Sequence, residues 1–300
     1  MRDLPGLVSL EGRFNVCAAY WELPRLPTDW PATLDAMDMV LAPSRFIETA
    51  MRDSGVRAPI RYYRQPLEIP SAVPDRMKWG IPAGVTAFLF AFDISSGLLR
   101  KNPLAVVEAF ARAFPDRRAM LILKINNPDL SPEARIVVER IKAATSSYAN
   151  VLVIDGSLPY REVASLYASA DVYVSLHRSE GLGLGMMETM AMGKPVIATA
   201  WSGNADFMNE GNACLVPFRI VPIDEGTQYH RISLGAEQTW AEPEIAAAAD
   251  WMSRLDASPE LRHAIGARAR DSIRAFLSEA GKGSVFAEIE SLWRASGKGE

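Results

Sequence analysis

The amino-acid sequence predicts an α/β protein: a parallel sheet wrapped by helices, with a smaller αβ piece ahead of it. Short apolar runs of strand length alternate with stretches of helical period, the order that right-handed βαβ units impose. The alternation is clearest from residue 85 onward. Length agrees, because 300 residues, 49% of them hydrophobic and 23% charged, correspond to about two domains. A chain of that size buries about 75% of the surface its unfolded form exposes, so its core needs no metal or disulfide staple.

The first lobe, residues 1–72, reads as strand 16–20, a helix near 30–37, strand 39–42, helix 46–53 and strand 60–64. Three strands make a thin sheet. Prolines punctuate residues 65–82 (QPLEIPSAVPDRMKWGIP), and a linker is placed at 73–84. In the larger lobe, 85–278, strand 88–92 leads to a helix opened by Asn102 and Pro103, a capping residue followed by Pro at the first helical position. Leu104, Val107, Phe110 or Ala111, and Phe114 form its apolar stripe. Strand 119–125, helix 132–144, strand 151–154, helix 160–170, strand 172–176, helix 185–192 and strand 195–199 follow in alternation. Residues 204–218 predict a further helix and a strand at 214–217, and 219–242 an irregular loop. Helical period returns over 243–278, with a break near Pro259, and over 284–296.

Composition excludes several classes of function. Lys and Arg number 32 against 36 Asp and Glu, a formal net charge of -4, without the basic excess that binding a nucleic acid polymer requires. Cys17 and Cys214 lie far apart and read as reduced, core-filling thiols. The start, MRDLPGLVSL, places Asp3 and Pro5 where a signal peptide would build an apolar core. No run reaches the roughly eighteen apolar residues of a membrane span. The expected location is the cytoplasm, with peripheral contact at the inner membrane face left open.

Ligands of an open parallel sheet bind beyond the carboxyl ends of its strands, at the switch point, so residues just after each strand come first. After the strand ending near Leu176 come His177, Arg178, Ser179 and Glu180, then Gly181, Gly183 and Gly185 spaced by Leu182 and Leu184, then a helix bearing Glu188. The glycines permit close backbone approach, and a helix start offers free N–H groups to a phosphate. A flexible loop with solvated acids would carry the same letters. Both carboxylates can face one crevice, and an acceptor-only carboxylate grips two neighbouring hydroxyls, as in a sugar diol. Arg100 and Lys101 precede a helix whose dipole disfavours cations, an objection that a bound anion removes; the other reading is a solvated basic pair. Lys124, at the end of the second strand of the larger lobe, is either a site cation or a solvated lysine. His177 is either a donor to sugar or phosphate or a structural histidine. Ser202, Gly203 and Asn204 offer donors after the fifth strand, or form a plain turn. Met186, Met187, Met190 and Met192 read as core and helix packing.

Together, EGLGLGMMETMAMGKPVIAT resembles the donor-binding signature of retaining glycosyltransferases of family 4, whose fold is two facing Rossmann-like lobes, GT-B. Glu180, Glu188 and Gly193-Lys194-Pro195-Val196 fit its pattern, and FAFDISSGLLRKNPLAVVEAF is similar to the first strand and helix of the donor lobe. The segments YWELP, VLAPSRF and RQPLEIP look like the last part of the family's acceptor lobe, and the stretch 279–300 like a helix packing back across the lobes. The resemblance implies that Glu180, the residue assigned to catalysis, orients the donor sugar with the backbone of Gly181, Leu182 and Gly183. It implies that Leu184 N–H and Lys101 meet the diphosphate, that Glu188 holds the ribose, and that the base lies near Gly156, Ser157 and Leu158. The implied partners are a nucleotide sugar and a saccharide or lipid-linked saccharide acceptor, with no cofactor and no metal in the site. The implied reaction retains configuration through an oxocarbenium-like transition state, the leaving phosphate oxygen assisting the acceptor hydroxyl.

Two departures stand out. Ala91-Phe92-Asp93 occupies the place of the family's Gly-Arg, so one phosphate cation is missing or comes from elsewhere. The piece ahead of the linker is about half the family's acceptor lobe and lacks its Gly-rich loop and His, which points either to a fragment or partial gene product or to a reduced enzyme that completes its cleft by self-association or with a partner subunit. Two other readings fit the same residues: a non-catalytic donor-lobe protein that binds a nucleotide sugar, and a sugar-nucleotide epimerase on the same two-lobe fold.

Overall fold

The computed structural model describes residues 12–69, 71–224, 238–280 and 284–298. The first lobe is built from β1 (Val16–Ala18), α1 (Trp30–Leu34), β2 (Met39–Ala42), α2 (Arg45–Asp53) and β3 (Ile60–Tyr62). Its strands form a parallel sheet in the order β1-β2-β3, with Val40 between Cys17 and Ile60. All four residues of β2 are apolar and buried, as a strand covered on both faces requires. Ser44 starts α2 by accepting a hydrogen bond from Ile47 N at 3.2 Å.

The second lobe comprises β4 (Ala87–Asp93), the short helix α3 (Leu98–Lys101), α4 (Pro103–Ala113), β5 (Met120–Asn126), α5 (Pro132–Thr145), β6 (Val151–Asp155), α6 (Tyr160–Ser169), β7 (Val172–Ser175), α7 (Leu184–Ala191), β8 (Val196–Thr199) and β9 (Cys214–Val216). Its six strands are parallel and ordered β6-β5-β4-β7-β8-β9, so the winding reverses between β4 and β7. Strand alternation splits the core between the two faces. Phe88, Phe90 and Phe92 pack with Phe110 and Phe114 on one side, while Ala87 and Leu89 join Tyr173, Met187 and Met190 on the other.

Three expectations are corrected. The helix expected after 204 is only a 3-10 turn, Gly203–Asp206. Part of the segment read as a loop over 219–242 is an antiparallel ribbon of β10 (Phe218–Pro222) and β11 (Thr239–Pro243). Its core positions pair with a partner remote in sequence, so no local turn signal announces it; Trp240 is buried in the first lobe's core. Residues 225–237 of that segment lie outside the described residues. Asn102 does precede α4, but in the left-handed region (φ 53) and without a side-chain capping bond. The abrupt passage from α3 into α4 turns the backbone there and takes the side chain away from the α4 amides.

The chain closes with α8 (Ile245–Ala257), α9 (Pro259–Ala280) and α10 (Ser284–Ser296). From the last helix and just beyond it, Glu288 meets Arg61 at 2.7 Å and Lys298 meets Asp38 at 2.5 Å. The lobes also join through Ser44 Oγ donating to Gly181 O at 2.6 Å and Arg45 N donating to Asp206 Oδ2 at 2.9 Å. Cys17 and Cys214 are free thiols. Among the described residues, no helix is long and apolar enough to cross a membrane.

Candidate functional site

A cleft of about 590 Å³ opens between the lobes, beyond the carboxyl ends of β4, β5 and β7. This is where the reversal of strand order separates neighbouring connections and leaves a crevice. Asp93, Asn126 and Ser175 reach it from strand ends, Ser157 and Leu158 from the loop after β6, and Gly181 to Gly185 from the loop into α7. Tyr20 and Glu22 complete the wall from the first lobe.

The donor loop is held from behind. Gly183 stands at the N-cap of α7 with φ 100, a left-handed backbone that strains any residue with a Cβ and so favours glycine. Without a side-chain cap, the first amides of α7 stay available to an anion. Glu180 N donates to Ser202 Oγ at 2.7 Å and Gly203 N to Glu180 O at 2.9 Å. Gly203 packs so closely that an added Cβ would sit 2.0 Å from Gly181 O. Gly203 and Asn204 are therefore supports of the loop and do not line the cleft.

Charge concentrates at Glu180. Its Oε1 accepts from Lys101 Nζ, and its Oε2 lies 3.2 Å from Arg100 Nη1. Burial raises the affinity of this carboxyl for its proton, but the Lys101 and Arg100 cations prevail and hold its pKa at about 2. Burial in turn pushes the Lys101 ammonium below its ordinary value, with Glu180 opposing. Arg100 is 2% exposed, donates to Ser179 O at 2.8 Å and stands 3.6 Å from Glu22 Oε1. A solvated basic pair is thus ruled out.

On the other side of the cleft, Tyr160 donates its hydroxyl to Glu188 Oε1 at 2.5 Å. Burial raises the Glu188 pKa, with the Tyr160 bond pulling the other way. Lys124 is fully buried, and its ammonium donates to Asn126 Oδ1 at 2.7 Å, Gly156 O at 2.5 Å and Ile125 O at 3.1 Å. It ties the end of β5 to the loop after β6, and both it and Gly156 sit behind the cleft wall. Burial lowers its pKa to about 8.

His177 is also behind the wall. Ser175 Oγ meets its Nδ1 at 3.0 Å, while Nε2 faces Trp201 O at 3.2 Å and Asn204 Oδ1 at 3.1 Å. Burial lowers its pKa, so it is a neutral structural imidazole. Arg178 turns away, pairing with Glu242 of β11 at 2.6 Å and donating to Leu99 O at 2.7 Å. Sequence reasoning missed Glu22, Tyr20 and Tyr160. The first two carry no local signal because only lobe packing brings them to the cleft; Tyr160, an aromatic hydroxyl opening a helix after a strand end, could have been read.

Residues 100–222 match the family model of glycosyl transferases group 1. A 72-residue stretch is 38% identical to the sulfoquinovosyl transferase SQD2 of Arabidopsis thaliana, spanning 24% of this chain and 14% of that protein. Among solved structures, sucrose-phosphate synthase from Thermosynechococcus elongatus superposes with TM-score 0.65 at 22% identity, covering 89% of this chain and 60% of that one. HepE of Anabaena, in complex with UDP and glucose, superposes with TM-score 0.69 at 15% identity, covering 92% and 71%. The chain spans less than two thirds of the Arabidopsis protein and of the synthase. It has the GT-B fold of glycosyltransferases, and its residues 100–222 are similar to glycosyl transferases group 1.

Proposed function

We propose that this chain binds a nucleoside diphosphate sugar and transfers the glycosyl group to an acceptor hydroxyl with retention of configuration, as a family 4 type hexosyltransferase. One observation carries the reading: Lys101, Arg100, the uncapped start of α7 and the carboxylates Glu180 and Glu188 converge on one cleft at the switch point. The cations and the helix start suit a diphosphate, and the two carboxylates suit hydroxyl pairs.

In this reading the diphosphate displaces Glu180 from Lys101, and the released carboxylate turns to the sugar hydroxyls. The bond from the anomeric carbon to the phosphate oxygen lengthens. Arg100, Lys101 and the α7 amides take up the charge that develops on the leaving diphosphate. The acceptor oxygen bonds to the anomeric carbon on the same face, and its proton passes to the departing phosphate oxygen. Glu180 stabilises the positive charge on the ring, Glu188 holds the ribose, and Ser157 and Leu158 flank the base. The acceptor is a saccharide or lipid-linked saccharide, and the setting is the cytoplasm or its membrane face.

A thin three-stranded first lobe favours a second reading, in which the chain binds the nucleotide sugar as a partner subunit or completes its cleft by self-association. Incubation with UDP-, GDP- and ADP-sugars separates the two. Release of nucleoside diphosphate only when acceptor is present supports transfer; binding without turnover under all acceptors supports the subunit; an epimerised free nucleotide sugar refutes both. Because protein cations serve the leaving group, EDTA is expected to leave turnover unchanged.

A further inference from the structure

Lys124 is fully buried in β5, where an ammonium is costly unless its protons are taken up. Three oxygens take them: Asn126 Oδ1 at 2.7 Å, Ile125 O at 3.1 Å and Gly156 O at 2.5 Å. An ammonium has three protons and a neutral amine two, so only the charged form serves all three acceptors. Among the described residues, the charged groups acting on it are Asp93 at the end of β4 and Asp155 at the end of β6. Asp155 is itself paired with Arg135 at 2.7 Å and Lys142 at 2.9 Å, both from α5. The two carboxylates favour the ammonium, but burial outweighs them and lowers its pKa to about 8. Gly156 is clasped at both polar atoms, because its N donates to Ile125 O at 3.2 Å while its O accepts from Lys124. The next two residues, Ser157 and Leu158, line the cleft.

We propose, resting on the donor-binding function above, that Lys124 is a positioning residue for the nucleoside end of the donor: its ammonium fixes Gly156, and through it the Ser157 and Leu158 wall that flanks the base. The side chain acts from behind that wall and does not touch the donor. Loss of one proton leaves one of three buried oxygens without a partner, and a buried acceptor left unmade is expensive. The bond to Gly156 O is the one that joins two segments, so a movement of the loop after β6 relieves the deficit by turning that carbonyl toward water. Deprotonation therefore loosens the base wall. The groups assigned to the diphosphate, on α3 and at the start of α7, keep their places.

The test uses the full chain and titration calorimetry with UDP, GDP, ADP and inorganic pyrophosphate at pH 7 and pH 9. The quantity read is the affinity of the tightest nucleoside diphosphate divided by that of pyrophosphate, which isolates the nucleoside and cancels changes at Lys101. Lys124→Met, or Lys124→Gln where the first does not fold, is expected to lower this ratio about tenfold at pH 7 with pyrophosphate binding unchanged. Between pH 7 and pH 9 the wild-type ratio is expected to fall about threefold further than the variant's, whose own fall reports titration of the ligands alone. A variant ratio equal to that of the wild type, or the same pH response in both, overturns the inference and leaves the donor-binding function standing. Equal loss of pyrophosphate and nucleotide means that Lys124 supports the lobe as a whole, and overturns it too. Failure of all three nucleoside diphosphates to bind overturns both.

Discussion

Tyr160 and Glu188 hold each other across the cleft, hydroxyl to carboxylate at 2.5 Å, from the first turn of α6 to the middle of α7. Burial raises the Glu188 pKa above its ordinary 4.5 even with this bond in place. A carboxyl whose folded pKa is raised costs stability above that raised value, and the cost fades as pH falls through it toward the unfolded pKa. Glu188→Gln is therefore expected to raise Tm at pH 7 and to leave it unchanged near pH 4, while weakening nucleotide-sugar binding by roughly 1–2 kcal/mol. Thermal scans at both pH values and a donor titration check the pair of effects.

Glu180 behaves in the opposite sense. With its pKa held at about 2 against an ordinary 4.5, it contributes stability that is present above 4.5 and is lost as pH falls toward 2. Lys101→Ala removes the nearer cation, so acid unfolding is expected to begin at higher pH. The same variant is expected to lose affinity for a nucleoside diphosphate at least tenfold more than for the nucleoside. An equal loss for both ligands would mean that Lys101 acts by packing alone.

Most strands and helices were legible because each is dictated locally. The buried run Met39–Ala42 and the helix from Ser284 to Ser296 span the residues their patterns predict. Glu180, Gly181, Leu182, Gly183, Leu184 and Glu188 form one continuous motif, and the fold sets them around one cleft. Contacts between distant segments were not legible. Arg178 finds Glu242 only because β11 returns to the second lobe, and Glu22 nears Arg100 only because the lobes meet. Lys124 could be read as an exposed strand end until the loop after β6 folded over it.

Ser44 serves both lobes. Its hydroxyl accepts from Ile47 N and donates to Gly181 O, so one fully buried oxygen caps α2 and anchors the donor loop. Ser44→Ala is expected to cost about 1–3 kcal/mol of stability, from the lost cap and the stranded carbonyl. Denaturant unfolding gives the stability. Donor affinity is expected to fall with it, whereas a cap acting on α2 alone would leave affinity unchanged.

Gly203→Ala places a Cβ 2.0 Å from Gly181 O and 2.8 Å from Leu182 N. Backbone must shift, at a cost of about 1–3 kcal/mol for overpacking. Donor affinity is expected to drop more than tenfold while far-UV circular dichroism stays native. Unchanged affinity would detach the 202–204 turn from the donor loop.

Besides the segment between β3 and β4, the lobes are tied by the β10–β11 ribbon, whose Trp240 lies in the first lobe's core, and by α10, whose Glu288 meets Arg61. A body tied to another at one point can swivel freely, and each further tie restricts that swivel. Swivelling of one lobe on the other is therefore restrained at each of these ties.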